Sequence, residues 1–317
     1  MSNLNIAILK TIAFFDVFNY PLTATEIWKW LYRPNKSYSL VEVKEALESS
    51  QFLHGKLSVV EGFYCLRDRE NICNLRKKNN NLAERKFRKA RRLVKLFRYI
   101  PYVRMVAICN SLAYSNARDD SDIDFFIIAK HGKIWLARFF TVLIVKILRA
   151  QPQPDDHKDT FCLSFFIDED SLDIQNIKLK NDIYYTYWLQ QILPIYDPNG
   201  LYGKFIKANK TNLEFLPNSY NNTFSKEIKT TKVSLIISRI IEFLTSPPII
   251  NQFTDDGYRQ IQSKIIDKNL KSIINIDTRV VINDQMLKFH SNDRREEYYR
   301  AWKERIKDLL NHCPIKY

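Results

Sequence analysis

The sequence predicts an α+β protein whose central part is a mixed sheet with helices. Three observations lead to this prediction. Apolar runs alternate with a helical pattern between about residues 100 and 200. Helical patterns and a short hairpin pattern precede them, and mostly helical patterns follow. The chain has 317 residues, of which 45% are hydrophobic, so it can form two or three domains with buried cores.

The first 70 residues contain three helical patterns followed by a hairpin pattern. Apolar residues recur at helical spacing over 4–18. After Pro21, Thr23 and Glu26 form a capping-box pattern that opens a second helix, because each side chain can bond a backbone N–H of the other. A third helix is predicted over Leu40–Ser49. Alternating residues around the turn at Glu61 and Gly62 then predict a β-hairpin.

Three helices and a hairpin are the element order of a winged helix, which we expect over residues 1–70. A winged helix that reads DNA places its third helix in a groove, against phosphates. The third helix here carries Glu42, Glu45 and Glu48, which would face those phosphates unfavourably. A winged helix that contacts protein or serves the fold is therefore favoured, with DNA reading as the alternative.

A basic linker helix is predicted over residues 71–100. Residues 76–98 contain eleven basic side chains and one acidic one, Glu84. Apolar residues at helical spacing form one stripe along this helix. The basic face is either solvated or a track for a nucleic-acid backbone. The candidate contacts in the second case are Arg88, Arg91, Arg92 and Lys95.

A different pattern begins near residue 101. Apolar runs at Met105–Cys109, Phe125–Ala129 and Phe161–Ile167 predict strands. An apolar helix at Ile134–Arg149 separates the last two, as expected for an α/β or α+β core over 101–200. Residues 201–317 are expected to be a helical region with a break at Pro247-Pro248 and a final helix near Arg294–Leu310.

Composition excludes several classes of protein and favours others. None of the six glycines forms a G-x-G-x-x-G or G-x-x-x-x-G-K-[ST] loop, which excludes the Rossmann fingerprint and the Walker loop. The net charge of +14 favours polyanionic partners such as nucleotides and nucleic acids. Five cysteines without a C-x-x-C pair do not support a zinc ribbon. Without a visible signal peptide or membrane span, we expect a cytoplasmic protein.

Two carboxylates at the start of a predicted strand point to metal chemistry. Asp122 and Asp124 project from the same face, about 6–7 Å apart along the strand. Two such charges beside an apolar strand are costly unless a cation neutralises them. Mg²⁺ suits carboxylates combined with substrate phosphates, and a pair of ions can support phosphoryl transfer. Upstream, Ser111 follows the preceding strand, where a helix N-terminus would offer N–H groups to a triphosphate.

This stretch resembles the DNA polymerase beta-like nucleotidyltransferase superfamily. The superfamily pattern is an apolar strand, Gly-Ser, about ten residues, and Asp-x-Asp before another strand. Ser111 matches its serine, and Ser121-Asp122-Ile123-Asp124 matches its second motif. The resemblance implies a nucleotidyltransferase-type mixed sheet over 101–200, Mg²⁺ bound by Asp122 and Asp124, and an NTP bound near Asn110, Ser111 and Ser121. The arrangement with an N-terminal winged helix also resembles uncharacterised bacterial nucleotidyltransferase-domain proteins.

Two departures from the superfamily pattern affect the expected chemistry. Asn110 replaces the glycine before the serine, and asparagine tolerates left-handed backbone better than most residues do. The superfamily's third carboxylate would lie on the strand Phe161–Ile167, which instead offers Cys162 and Ser164. Asp159, just before that strand, is a further candidate metal ligand. We therefore expect two Mg²⁺ ions at most, with the second held weakly.

The leading functional hypothesis is Mg²⁺-dependent transfer of a nucleoside monophosphate from an NTP to an RNA, protein or small-molecule acceptor. The alternative is a catalytically weak or inactive transferase fold that binds nucleic acid or protein. At the level of the residues, Asp122 and Asp124 could also belong to an acidic turn that caps a strand. Near the final helix, we expect Asp293 to cap that helix and His290 to be hydrogen-bonded within the fold, with substrate orientation as the alternative.

Overall fold

The computed structural model of the protein describes residues 2–153, 156–219, 227–244 and 272–311, together with residues 257, 259, 260 and 270. Within these residues the chain is a mixed α+β protein with one three-stranded and one six-stranded sheet. The α+β class and the mixed sheet predicted from the sequence are therefore confirmed. The predicted break at Pro247-Pro248 lies outside the described residues.

The N-terminal part contains the predicted helices and hairpin. The capping box of Thr23 and Glu26 is formed and opens the second helix. The hairpin strand β3 lies between β2 and a two-residue strand, β1, that the sequence pattern had not indicated. The elements are α1 (Asn3–Asp16), β1 (Leu22–Thr23), α2 (Ala24–Lys29), α3 (Leu40–Ser49), α4 (Gln51–His54), β2 (Leu57–Val60) and β3 (Phe63–Leu66).

The basic segment forms the long helix α5 (Asn71–Phe97), which lies within the predicted stretch 71–100. Its apolar stripe is buried against one face of the six-stranded sheet, in a core with Phe125 and Ile127. This burial explains why a helix with so many charges is stable in one orientation. The buried stripe consists of Ala83, Phe87, Ala90, Val94 and Phe97.

The six-stranded sheet has the order β7-β4-β5-β6-β9-β8. Strand β5 pairs antiparallel with β4 and parallel with β6, while the other pairs are antiparallel. The parallel pair requires a crossover, which the helix α7 (Ile134–Ile147) provides. The strands are β4 (Val103–Ile108), β5 (Ile123–Ala129), β6 (Phe161–Asp168), β7 (Leu193–Tyr196), β8 (Val280–Ile282) and β9 (Met286–Phe289).

Helices cover both faces of this sheet. The helices α5 and α7 pack on one face. On the other, Phe126 and Phe165 pack against α8 (Ile183–Gln191) and α9 (Leu201–Ala208). A four-residue helix, α6 (Asn110–Ala113), follows β4 directly. Among the described residues, no helix combines the length and the apolar character that crossing a bilayer requires.

The C-terminal region differs from its predicted all-helical form. It contains α10 (Lys232–Leu244) and α11 (Arg295–Asn311), but β8 and β9 lie between them and extend the six-stranded sheet. These strands have three and four residues, too few for a clear period-two pattern in the sequence. The helix α11 returns to α1, where the Trp302 indole donates to the carbonyl of Lys10 at 3.0 Å. The two ends of the described chain thus share one core.

Candidate metal and nucleotide site

The sheet brings the two predicted carboxylates together at the start of β5. Asp122 directly precedes the strand and Asp124 is its second residue. In the parallel pairing with β6, Asp124 lies opposite Cys162. Ligand atoms of Asp122, Asp124 and Cys162 all lie within 4.8 Å of one another. The side chain that occupies the expected third-carboxylate position is therefore the Cys162 thiol.

The two carboxylates lie in surroundings that disfavour their charge. Burial raises the pKa of Asp124 to about 7, and the charge of Asp122 adds to this increase. Burial also raises the pKa of Asp122, although His157 acts in the opposite direction. Among the described residues, neither carboxylate forms an ion pair within 4.0 Å. An uncompensated acidic pair of this kind is a suitable place for a cation.

Asn110 has a role that the sequence did not reveal. Its φ of +57° lies in the left-handed region, where the superfamily pattern has glycine and where asparagine is tolerated. Its amide oxygen accepts hydrogen bonds from Trp188 Nε1 at 3.1 Å and from the Tyr184 hydroxyl at 3.4 Å. A hydrogen bond from Asn110 also lowers the pKa of Asp124. Asn110 therefore connects the carboxylate pair to helix α8.

Ser111 and Ser121 share a cavity of about 580 Å³ beside the carboxylate pair. Ser121 directly precedes Asp122 in the sequence, and Ser111 directly follows Asn110. Because α6 has only four residues, its N-terminus provides little of the dipole that the sequence suggested for phosphate binding. Three arginines line the cavity, and each forms an ion pair: Arg118 with Asp120, Arg294 with Glu297 and Arg305 with Asp16.

Asp159, the further candidate ligand, lies in a different environment. Its carboxylate forms ion pairs with Lys86 at 3.1 Å and Arg85 at 3.2 Å. The Lys86 side chain is fully buried and also donates to the carbonyl of Ser121. Burial alone would raise the pKa of Asp159, but Lys86 and Arg85 bring the net value below the usual one. Asp159 thus neutralises a buried lysine and is not among the three clustered ligands.

The carboxylate oxygens of Asp122 and Asp124 are suitable ligands for a hard cation. Asp122 and Asp124 supply carboxylates, which Mg²⁺ accepts together with water and phosphate oxygens. Burial raises the pKa of the Cys162 thiol well above its ordinary value, so the thiol is neutral and a poor Mg²⁺ ligand. The β5–β6 register also shifts just beyond Cys162, and such bulges often redirect side chains beside active sites.

The basic side chains of α5 divide into two groups. Arg76 and Lys86 are buried and bind acids inside the fold; Arg76 contacts Glu26 at 2.8 Å. Arg88, Arg92 and Lys95 are exposed and Arg91 is half-buried, and none of these four forms an ion pair with another described residue. The second group is available for a nucleic-acid contact, as is the exposed Lys78.

Helix α8 contributes to the site although the sequence analysis did not single it out. Tyr184 and Trp188 lie one turn apart and both donate to Asn110. The available signal was the density of aromatic residues in this helix, which a spacing of one turn places on one face.

Comparisons with protein-family models, with curated proteins and with solved structures found no match to this chain.

Proposed function

We propose that the protein is a Mg²⁺-dependent nucleotidyltransferase of the DNA polymerase beta-like type, with a winged helix at its N-terminus. The observation that carries this proposal is the uncompensated pair Asp122 and Asp124 at the start of β5. The strand arrangement supports it, because β5 is antiparallel to β4 and parallel to β6, and Ser111 follows β4 directly. The cytoplasmic location predicted from the sequence is compatible with the free thiols of Cys65, Cys73, Cys109 and Cys162.

The proposed roles follow from the positions of the side chains. Asp122 and Asp124 would hold Mg²⁺, which would neutralise charge on the α- and β-phosphates when bound. Ser111, Ser121 and the nearby arginines would hold the rest of the triphosphate in the 580 Å³ cavity. The acceptor oxygen would form a bond to the α-phosphorus while the bond to pyrophosphate breaks, and the hydroxyl proton would pass to water.

Slow turnover is expected from this site. In the superfamily, the third carboxylate helps to hold a metal and can deprotonate the attacking hydroxyl, and a neutral Cys162 thiol does neither. A second candidate function is therefore a weakly active fold that binds nucleic acid. The exposed, unpaired basic residues Arg88, Arg92 and Lys95 support this candidate.

The proposal can be tested with NTPs labelled at the α-phosphate. The protein is incubated with each labelled NTP, Mg²⁺ and a cell extract, and the labelled product is identified. We expect labelling that falls about 100-fold or more in Asp122→Asn and Asp124→Asn, because an ion held by carboxylates contributes several kcal/mol to such transfer. The matched control is Asp120→Asn, whose side chain is 68% exposed and pairs with Arg118. Equal labelling by all variants would contradict the proposal.

A further inference from the structure

A second, smaller cavity lies beside the carboxylate pair, on the face of the sheet covered by α8. Its volume is about 210 Å³. Aromatic and charged side chains both line it, and among the aromatic ones Phe165 and Trp188 stack with their centroids 5.7 Å apart and their planes 11° apart. Pockets for drug-sized ligands have about 300–1,000 Å³, so this cavity has room for one ring system. Its principal walls are Asn110, Phe165, Tyr184, Trp188, His290 and Tyr298.

One ring nitrogen in this cavity has no partner. His290 follows β9, and its Nε2 lies 3.3 Å from the Ser164 hydroxyl oxygen. Its Nδ1 is buried, and no described residue hydrogen-bonds to it. Burial lowers the pKa of His290 to about 3, so the imidazole is neutral. A buried polar atom without a partner is costly and rare. Because Nδ1 itself is not accessible from the cavity, the ring contributes its carbon surface to the wall. The expectation that His290 would be hydrogen-bonded within the fold therefore holds for Nε2, which contacts Ser164, and not for Nδ1.

The charged residues around this cavity are already paired. Arg295 binds Asp182 at 2.8 Å and Asp293 at 2.6 Å. The Lys288 ammonium donates to two backbone carbonyls, those of Thr278 and Arg279. The buried cations Arg295 and Lys288 are thus not free to hold a phosphate or a carboxylate, and the exposed Arg294 pairs with Glu297 at 2.8 Å. The cavity suits an uncharged planar ring with a hydrogen-bonding edge.

The position of the cavity links it to the proposed reaction site. Asn110 lines the cavity and also hydrogen-bonds Asp124. Arg294 and Tyr298 line both this cavity and the larger one that contains Ser111. An NTP with its α-phosphate at the carboxylates and its terminal phosphates near Ser111 would have its nucleoside close to the smaller cavity.

We propose that the 210 Å³ cavity binds the nucleobase of the NTP and that the His290 ring in its wall helps to decide which base fits. This inference rests on the proposed function and assigns a role to residues outside the motif that carries it. Proteins commonly read a base outside a duplex by stacking it on aromatic rings and bonding its edge. The contact between His290 Nε2 and the Ser164 hydroxyl holds the ring in the wall, and the shape of that wall decides which bases fit.

The test measures binding of four NTPs and of ribose 5′-triphosphate, which lacks a base, to the full chain with Mg²⁺ and no acceptor. We expect the best NTP to bind about ten-fold more tightly than ribose 5′-triphosphate, since stacking of one base is worth at least that much. His290→Phe should reduce the differences among the four NTPs to about three-fold or less and leave ribose 5′-triphosphate unaffected. The control His54→Phe makes the same change at an exposed position and should alter none of these affinities.

The outcomes separate this inference from the proposed function. If ribose 5′-triphosphate binds as tightly as every NTP, and Asp124→Asn abolishes that binding, the nucleobase inference is wrong and the proposed function stands. If His290→Phe lowers transfer without changing any NTP affinity, the cavity belongs to the acceptor and the inference is again wrong. If none of the triphosphates binds, both proposals fail. If His290→Phe fails to fold, comparing the affinities of the four NTPs with that of ribose 5′-triphosphate on the unsubstituted protein still tests the nucleobase inference.

Discussion

Two Asp-x-Asp pairs lie at opposite ends of the parallel strands β5 and β6, and their surroundings differ. Asp122 and Asp124 stand at the start of β5 and form no ion pair among the described residues. Asp168 ends β6, where its carboxylate accepts hydrogen bonds from the backbone N–H of Gly132 at 2.8 Å and of Asp170 at 2.9 Å. His131 Nδ1 lies 3.3 Å from it.

Both pairs have ligand atoms within 4.8 Å of one another, the second together with His131, but they differ in how far the fold satisfies them. At the end of β6, backbone donors satisfy Asp168, so the carboxylate joins two loops and has a structural role. At the start of β5, the carboxylates face each other and the thiol of Cys162. Acids without partners are the ones available to a ligand, and acids with partners hold the fold.

Asp159 extends the comparison and gives the largest expected effect on stability. Asp159→Asn removes the carboxylate that neutralises the fully buried Lys86. We expect the free energy of unfolding to fall by about 3 kcal/mol, since breaking a buried ion pair leaves an uncompensated charge. Chemical denaturation of both proteins at neutral pH measures this loss.

The same substitution has a pH signature. The pKa of Asp159 lies below its usual value, so its ion pairs stabilise the native state at neutral pH. That contribution is lost as the pH falls through the lowered pKa, and the two proteins should become equally stable in acid. We expect Mg²⁺-dependent NTP binding to be retained in the variant. Its loss at neutral pH in folded protein would instead make Asp159 the third metal ligand.

Asp168→Ala tests whether the carboxylate at the end of β6 has a structural role. The substitution removes the acceptor of the N–H groups of Gly132 and Asp170. We expect a loss of about 2 kcal/mol in the free energy of unfolding, because hydrogen bonds to a charged group are worth about 1.5–3 kcal/mol. Binding of Mg²⁺ and NTP should be unchanged when measured below the unfolding temperature. A variant with normal stability and lost binding would reverse the roles of the two pairs.

Asp124→Asn should change stability in the opposite direction. Burial and the charge of Asp122 raise the pKa of Asp124 to about 7, so the ionised carboxylate destabilises the metal-free fold near neutral pH. Removing that charge with nearly the same shape should raise the free energy of unfolding by about 1 kcal/mol. Thermal unfolding in the presence of a chelator measures the gain. A clear loss of stability would indicate that Asp124 is structural, as Asp168 is.

Local patterns predicted most of the elements of this fold. The capping box of Thr23 and Glu26, the apolar stripe of α5 and the three long strands depend on neighbouring residues, and each is present. Strands β8 and β9 were missed because they are short, and because β9 pairs with β6, which lies more than a hundred residues earlier, while β8 pairs with β9. Their existence depends on tertiary contacts that no local pattern contains.

The candidate site was predictable only in part, for a related reason. Asp122 and Asp124 belong to one strand start, so period-two geometry alone brings them together. Neither the pairing of Asp159 with Lys86 nor the position of His290 opposite Ser164 could be deduced, because these contacts join distant parts of the chain. Sequence reasoning identified the acids, and the partners that decide their roles became visible only in three dimensions.

The basic residues of α5 allow the same comparison for cations, with the smallest expected effect on stability. Replacing Arg88, Arg91, Arg92 and Lys95 by Gln should change the free energy of unfolding by no more than about 0.5 kcal/mol, because these side chains form no ion pair with another described residue.

If these four side chains contact duplex DNA, the slope of log affinity against log salt concentration should flatten by about 0.9 for each lost phosphate contact. The matched control lowers the net charge equally at exposed positions elsewhere: Lys204, Lys207, Lys303 and Lys307 to Gln. Equal slopes for both sets would mean that only net charge matters, and an absence of DNA binding at low salt would leave this basic face merely solvated.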